Sequence, residues 1–318
     1  MLKRIYIIFC SIYSFFYNEI KFIIYNYKKL KRFKKIKNKI ILFLIKNITY
    51  RYILKLFNSK IIFLWINDSK LLVQKNDHGL IGNLYWGLED FKEMSFMLHY
   101  LREDDNFFDI GSNLGAYTVL ASSVVKCKSY AFEPLPKTFE QLIKEIKLNN
   151  IEHLVELHNL GISSKSDWLY FTSNFGCMNR VHTNQYSNNT NLKKIKVIAL
   201  DDKFNPDKNT LIKIDVEGYE KYILDGGKEF FSNKNVKVLI VEINGLSKDY
   251  GIEDYKIDEQ IREFGFKPIR YNPINRKIEN IKIIKNGNTI YIKDFKEASI
   301  RCNEAKKFKI CSLDNYII

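Results

Sequence analysis

Phe107-Phe108-Asp109-Ile110-Gly111-Ser112-Asn113-Leu114-Gly115-Ala116-Tyr117-Thr118 is a short apolar run that ends in an acid, passes two glycines and enters a helix. Gly111 and Gly115 allow a tight turn with no Cβ between the backbone and a ligand. The helix opening near Gly115 presents free N–H groups and a partial positive charge, which suit a carboxylate or phosphate. Asp109 beside it disfavours a phosphate and suits an amino group or a sulfonium. Two later segments also deliver acid at the end of an apolar run: Ala131-Phe132-Glu133-Pro134 and Ile212-Lys213-Ile214-Asp215-Val216-Glu217-Gly218-Tyr219-Glu220. Ligands of open α/β sheets bind beyond the carboxyl ends of the strands, so three strand ends direct carboxylates at one crevice.

Glu133 stands where an acid accepts hydrogen bonds from ribose hydroxyls in nucleotide-binding folds. A ligand with a ribose, a cationic centre and an amino-acid carboxylate fits this set better than a dinucleotide. The third glycine of a dinucleotide fingerprint is missing, since Tyr117 and Thr118 stand where it would fall. Other readings remain open for each residue: Asp109 as a helix cap, Glu133 as an acid at a helix entry, Asn113 as a turn-holding amide.

FFDIGSNLGAYTVLAS (107–122), YAFEPLPKTFEQLIKEIKLNN (130–150), VIALDD (197–202) and LIKIDVEGYEKYILDGG (211–227), in that order, resemble the FkbM family of S-adenosylmethionine-dependent methyltransferases. The likeness covers roughly residues 85–245, and IKIDVEGYE is its most specific part. It implies an α/β, Rossmann-like class I methyltransferase fold: a mostly parallel seven-stranded sheet with helices on both faces. It also implies S-adenosylmethionine as cofactor, with Asp109, Gly111, Asn113, Gly115 and Glu133 at the matching positions. Tyr117, Thr118 and Pro134 adjoin them and complete the expected cofactor site. Ser112 stands where the family usually has alanine. A narrower likeness in residues 87–113 and 288–294, to members associated with surface polysaccharides or glycolipids, implies a sugar hydroxyl as acceptor. Neither an NPPY-type amine site nor a nucleophilic cysteine pair is present.

Lys213, Asp215 and Glu217 share one face if their strand runs straight through Glu217. They read either as a self-satisfied ion cluster or as a polar wall at the methyl-transfer site. Transfer to a hydroxyl needs in-line approach and a base within about 3 Å of the acceptor oxygen, with positioning supplying much of the rate. Asp215, Glu217 and Lys213 are therefore the catalytic candidates. Asn179, His182 (an alternative base) and Glu242 are candidates for substrate contact. No metal is expected, because the obvious carboxylates already have roles.

The pattern along the chain supports this architecture. Strands are expected at 106–110, 128–133, 153–158, 166–172, 195–199, 210–215, 235–243 and 266–271. Helices are expected at 115–126, 136–149, 219–231 and 256–264. Such alternation calls for a parallel sheet with right-handed crossovers. A hairpin over 61–66 and 71–75 and a helix within 88–101 lead in, and residues 288–293 read as a last, antiparallel strand. Residues 173–192 lack periodicity and read as a lid loop. The division expected is an extension over 1–60, a lead-in over 61–105, a methyltransferase domain over 106–295 and a tail over 296–318.

Charge separates the extension from the rest. Of 51 Lys and Arg residues, 15 fall within 1–60 against a single acid, Glu19, so that segment carries +14 of the chain's net +15. A nearly neutral remainder argues against a nucleic-acid substrate. Lysines interleaved with Ile, Phe and Tyr suit helices lying on an anionic membrane surface, or else a helical extension packed on the sheet or a partner. The apolar run 5–17 is too short to span a bilayer, which takes about 20 residues, and no small-residue cleavage site follows it. Five unpatterned cysteines suit a reducing cytoplasm, with the enzyme free or peripheral at the inner membrane face. Three alternatives stay open: a glycosyltransferase using Asp215 and Glu217 as a metal motif, a nicotinamide oxidoreductase, and a non-catalytic S-adenosylmethionine-binding scaffold.

Overall fold

The computed structural model describes residues 60–74, 77–182, 191–311 and 316–318. The expectations for the basic extension lie outside the described residues, as does the stretch 183–190 of the expected lid. A hairpin opens the described chain, β1 (Lys60–Leu64) with β2 (Lys70–Gln74), followed by helices α1 (His78–Trp86) and α2 (Phe91–Tyr100). Alternation then begins: β3 (Asn106–Ile110), α3 (Ala116–Val119, continued as a π-turn over Leu120–Val125), β4 (Lys128–Phe132), α4 (Pro136–Leu148) and β5 (Val155–His158). Four further strands come next, β6 (Gly161–Ile162), β7 (Asp167–Thr172), β8 (Val181–His182) and β9 (Leu192–Ile198). The chain then forms β10 (Thr210–Ile214), α5 (Glu220–Asp225), α6 (Lys228–Ser232), β11 (Val236–Ile243), α7 (Asp254–Glu263), β12 (Lys267–Asn272), β13 (Lys277–Asn280) and β14 (Gly287–Ile292). Helix α8 (Phe295–Glu304) and the small pair β15 (Lys309–Ile310) and β16 (Tyr316–Ile317) complete it.

The central sheet has the order β13-β12-β14-β11-β10-β3-β4-β5. β3, β4, β5, β10 and β11 pair in parallel, and β14 enters antiparallel between β11 and β12. The mostly parallel sheet expected from the sequence is thus present, with an eighth strand added where β13 folds back on β12. Lys277-Ile278-Glu279-Asn280 is too polar to signal a strand, which an edge position tolerates.

Central strands buried on both faces read as continuous apolar runs, and all five residues of β10 are buried. Phe108, Ile110, Ile212, Ile214, Leu239 and Val241 face one layer, where Ile223 and Leu224 of α5, Phe230 and Phe231 of α6, and Ile257 and Ile261 of α7 cover them. Each such fully buried side chain contributes about 1.5–3 kcal/mol. Lys213 alternates to the other face, where its ammonium lies 5.2 Å from the ring of Tyr117 on α3.

Several elements depart from the expected string. The helix expected over 219–231 breaks at Gly226-Gly227, where the backbone passes so close to Ser163 that a Cβ at Gly226 would sit 2.1 Å from its carbonyl oxygen. The expected lid holds a 3₁₀ turn at Gly176–Met178 and then β8, which pairs with β7 through Tyr170–His182 and Phe171–Val181. β6, β9, β7 and β8 form a second sheet. Helix α8 stands where only a tail was expected. Asp294 caps it by accepting the Glu297 N–H at 2.9 Å, and Arg301 pairs with buried Asp105 at 2.6 Å. Helix α1, also unanticipated, packs Gly79 against the Asn113 side chain so closely that a Cβ would lie 2.6 Å from Nδ2.

Candidate active site

Asp109, Glu133 and Asp215, each at a strand's carboxyl end, line one cavity of about 330 Å³. Asp109 is almost fully buried and accepts a hydrogen bond from Thr118 Oγ1 at 2.6 Å. Burial raises its pKa to about 6, against the lowering effect of that bond. Thr118 is itself wholly buried. It orients Asp109 and does not face the cavity, a correction to its expected cofactor contact. Tyr117 does line the cavity, and its hydroxyl donates to Asp90 at 3.0 Å.

Glu133 accepts the Asn113 N–H at 3.0 Å through one oxygen and the Leu135 N–H at 2.9 Å through the other. Each oxygen keeps a second lone pair for a ligand hydroxyl. Burial raises its pKa to about 7, opposed by those two bonds. Asn113 holds a left-handed φ of 49°, which asparagine tolerates, and this turns its N–H onto Glu133. Pro134 lines the cavity beside it.

The glycines act differently from expectation. Gly111 lines the cavity with φ 82°, but a Cβ there would meet the Asp215 carbonyl oxygen at 2.0 Å. What demands glycine is the contact between two strand ends. Gly115, φ 86°, precedes α3, and its missing Cβ leaves room for Leu142 Cδ1 at 2.5 Å. It shapes the turn from behind the cavity and does not line it.

β10 ends at Ile214, so the straight strand assumed for Lys213, Asp215 and Glu217 does not exist. Glu217 sits in a turn at φ 55° ahead of Gly218 at φ 99°. The turn still returns its carboxylate to the cluster: oxygens of Asp215, Glu217 and Glu242 lie within 4.8 Å of one another. Lys213 Nζ meets Asp215 Oδ2 at 2.7 Å, with the lysine side chain 2% exposed and the aspartate 36% exposed to the cavity. Burial pushes the Asp215 pKa upward, but the Lys213 ammonium and a hydrogen bond from Glu242 outweigh it and hold the group below its ordinary value. Glu217 moves upward through burial and the charge of Asp215. Glu242 rises to about 9 for the same two reasons, so it carries a proton at neutral pH and shares it with Asp215. A cation could bridge the three carboxylates, a set for which the sequence reading expected no metal. Lys213 meets part of that charge from inside the fold.

Asn179 lines the cavity while its amide closes the 3₁₀ turn, donating to the Gly176 carbonyl at 2.6 Å and accepting the Phe175 N–H at 3.0 Å. His182 lines a neighbouring cavity that also holds Glu217, and not this one. Gly79, Glu89, Asp90 and Arg180 line the transfer cavity without having been anticipated. The acid pair Glu89-Asp90, following an apolar stretch, was the signal available for two of them.

The pocket fits an S-adenosylmethionine-like ligand by its donor set and by one buried atom. Ser112 lines the cavity, and its Oγ is buried with no hydrogen-bond partner among the described residues. A buried hydroxyl without a partner is costly unless a ligand satisfies it.

The family profile described as the Methyltransferase FkbM domain matches residues 109–268, half of the chain. The chain belongs to the FkbM methyltransferase family. Over 163 residues it is 28% identical to the hexuronic acid methyltransferase AglP of Haloferax volcanii, a match covering 50% of this chain and 66% of that relative. The chain therefore spans a little under two thirds of AglP. Among solved structures, one from Streptococcus mutans in complex with SAH is 13% identical, covers 63% of this chain and 94% of its own, and gives a TM-score of 0.38. An rRNA methylase from Streptococcus thermophilus is 12% identical over 63% of this chain and 91% of its own, at a TM-score of 0.37. Likenesses that loose carry nothing about the acceptor.

As an FkbM methyltransferase, the protein uses S-adenosylmethionine as cofactor. The glycosyltransferase and oxidoreductase alternatives fall with this assignment. Among the described residues no helix is long and apolar enough to cross a membrane.

Proposed function

We propose that this FkbM methyltransferase O-methylates a sugar of a surface polysaccharide or glycolipid. The observation carrying this reading is the convergence of Asp215, Glu217 and Glu242 at the carboxyl edge of the sheet, beside the cofactor cradle of Asp109 and Glu133. A hydroxyl acceptor needs such oxygens to orient it and to take its proton. The similarity to AglP, named for a hexuronic acid, supports a glycan acceptor.

S-adenosylmethionine, when bound, supplies the activated methyl group. Asp109 would hold its cationic portion and Glu133 its ribose hydroxyls. Asp215, pinned by Lys213 and kept ionised, orients the acceptor, and protonated Glu242 donates to Asp215. Glu217 takes the hydroxyl proton as the oxygen attacks, its raised pKa making it the stronger base. We assign the basic extension, residues 1–60, to binding an anionic membrane surface on the cytoplasmic side, which would bring a lipid-linked acceptor near.

Mass spectrometry of surface glycans from cells with and without the protein tests the reading. Loss of a methyl ether from one sugar is expected. Unchanged glycans would sink the proposal.

A further inference from the structure

We propose that the cavity adjoining the transfer site receives the second ring of an oligosaccharide, so that the acceptor is a chain of at least two sugars. This rests on the sugar-acceptor reading above. The side cavity measures about 370 Å³, and it shares Arg180, Val181 and Glu217 with the transfer cavity. The proposed base therefore stands at the junction, and the side cavity offers room for the next ring of an acceptor held there for transfer.

Fixed contacts wall this space. Arg180 Nη1 pairs with Asp249 Oδ2 at 2.6 Å, and the Tyr250 hydroxyl donates to the Val181 carbonyl at 2.7 Å. Tyr250 is braced edge-on against Tyr219, with ring centroids 5.3 Å apart. Phe175 and Met178, which line the side cavity, are 64% and 62% exposed, two large apolar groups at either end of one 3₁₀ turn left open to solvent. Neighbouring apolar groups left open to solvent mark binding surfaces, and ligand sites combine apolar walls with a few placed polar groups. A pyranose ring has that mixed character: a C–H face to lie on Phe175 and Met178, and hydroxyls to reach Asp249 and Glu217. An acyl chain would strip water from those carboxylates with no return. The Arg180–Asp249 pair is neutral as a unit, which suits an uncharged second ring.

The test uses the full-length protein, methyl-labelled S-adenosylmethionine, and surface glycan from cells lacking the protein, partly hydrolysed and sorted into one-ring, two-ring and longer fragments. From one ring to two, kcat/KM for methyl transfer should rise roughly tenfold or more, the contribution of one well-filled aromatic subsite. Phe175→Ala combined with Met178→Ala should shrink that ratio to about threefold or less, with S-adenosylmethionine affinity held. Equal kcat/KM across fragment sizes, or a double variant that keeps the full ratio, overturns the subsite and leaves the sugar acceptor standing. No transfer to any fragment overturns both. A preference for lipid-bearing over lipid-free fragments of equal length gives the cavity to the lipid and overturns the second ring.

Discussion

Glu133 commits both carboxylate oxygens to backbone N–H groups and still presents lone pairs to the cavity, so it binds ligand and holds the loop at once. Glu133→Gln is expected to weaken S-adenosylmethionine at least tenfold, given charge-assisted bonds of roughly 1.5–3 kcal/mol each. Calorimetric titration reads this, and unchanged affinity in a folded variant would remove Glu133 from the site. The pH dependence has a defined sign. Asp109 titrates near 6 and Glu133 near 7, and a cationic ligand favours their ionised forms. Affinity should therefore rise with pH through about 6–7 and level off above, flattening in Glu133→Gln. At the catalytic cluster, Glu217→Gln should slow turnover by about 10²–10⁴-fold with cofactor affinity nearly unchanged. Asp215→Asn should also slow it, since buried Lys213 then loses its partner. If the Glu217 variant keeps full rate on the true acceptor, the base is Asp215. The cofactor residues were legible because acids ending buried strands are conspicuous in a one-dimensional string. The arrangement of Glu217 and Glu242 was not, since it depends on a positive-φ turn and on β11 standing beside β10. Ser112 stood out in the sequence only as an exchange for the family's alanine, and only the fold shows its hydroxyl buried with no partner among the described residues.

At the scale of elements, the hairpin β1–β2 is stitched to α4 by a buried acid. Glu145 accepts the Leu72 N–H through its two oxygens at 3.1 and 3.2 Å, and Asn149 exchanges two bonds with the Lys70 backbone. Burial lifts the Glu145 pKa from 4.5 to about 8, with the Leu72 bond opposing. A folded-state pKa above the unfolded one means the folded state binds more protons. The associated stability is complete below about 4.5 and is lost as pH rises through about 8. Glu145→Gln should therefore show a shallower fall in melting temperature across that window than the parent protein. Identical slopes would mean that Glu145 ionises normally. The alternating strands and helices were legible because their periods of 2 and 3.6 survive in apolar residues. α1 was not, since its His-Gly-Leu-Ile-Gly-Asn start carries two glycines, poor helix formers that here make room for Asn113 and Glu89. α8 had a readable start in Asp294 and Glu297 but little apolar stripe beyond Ala298 and Cys302.

For the molecule as a whole, the charge of residues 1–60 predicts a surface interaction separable from catalysis. The full-length protein should bind phosphatidylglycerol vesicles, and binding should weaken as added salt takes the Debye length below about 8 Å. A chain starting at residue 60 should lose the vesicles and keep S-adenosylmethionine binding. Insolubility of that shorter chain would instead make the extension a cover for apolar surface. The large sheet supplies Asp109, Glu133 and the carboxylate cluster, whereas the segment following β7 of the small sheet supplies Cys177, Asn179, Arg180 and Val181 to the same cavity. Substitutions in that one segment are therefore expected to alter acceptor preference. The cradle of the methyl donor, built on other strands, is expected to keep its affinity when that segment is changed.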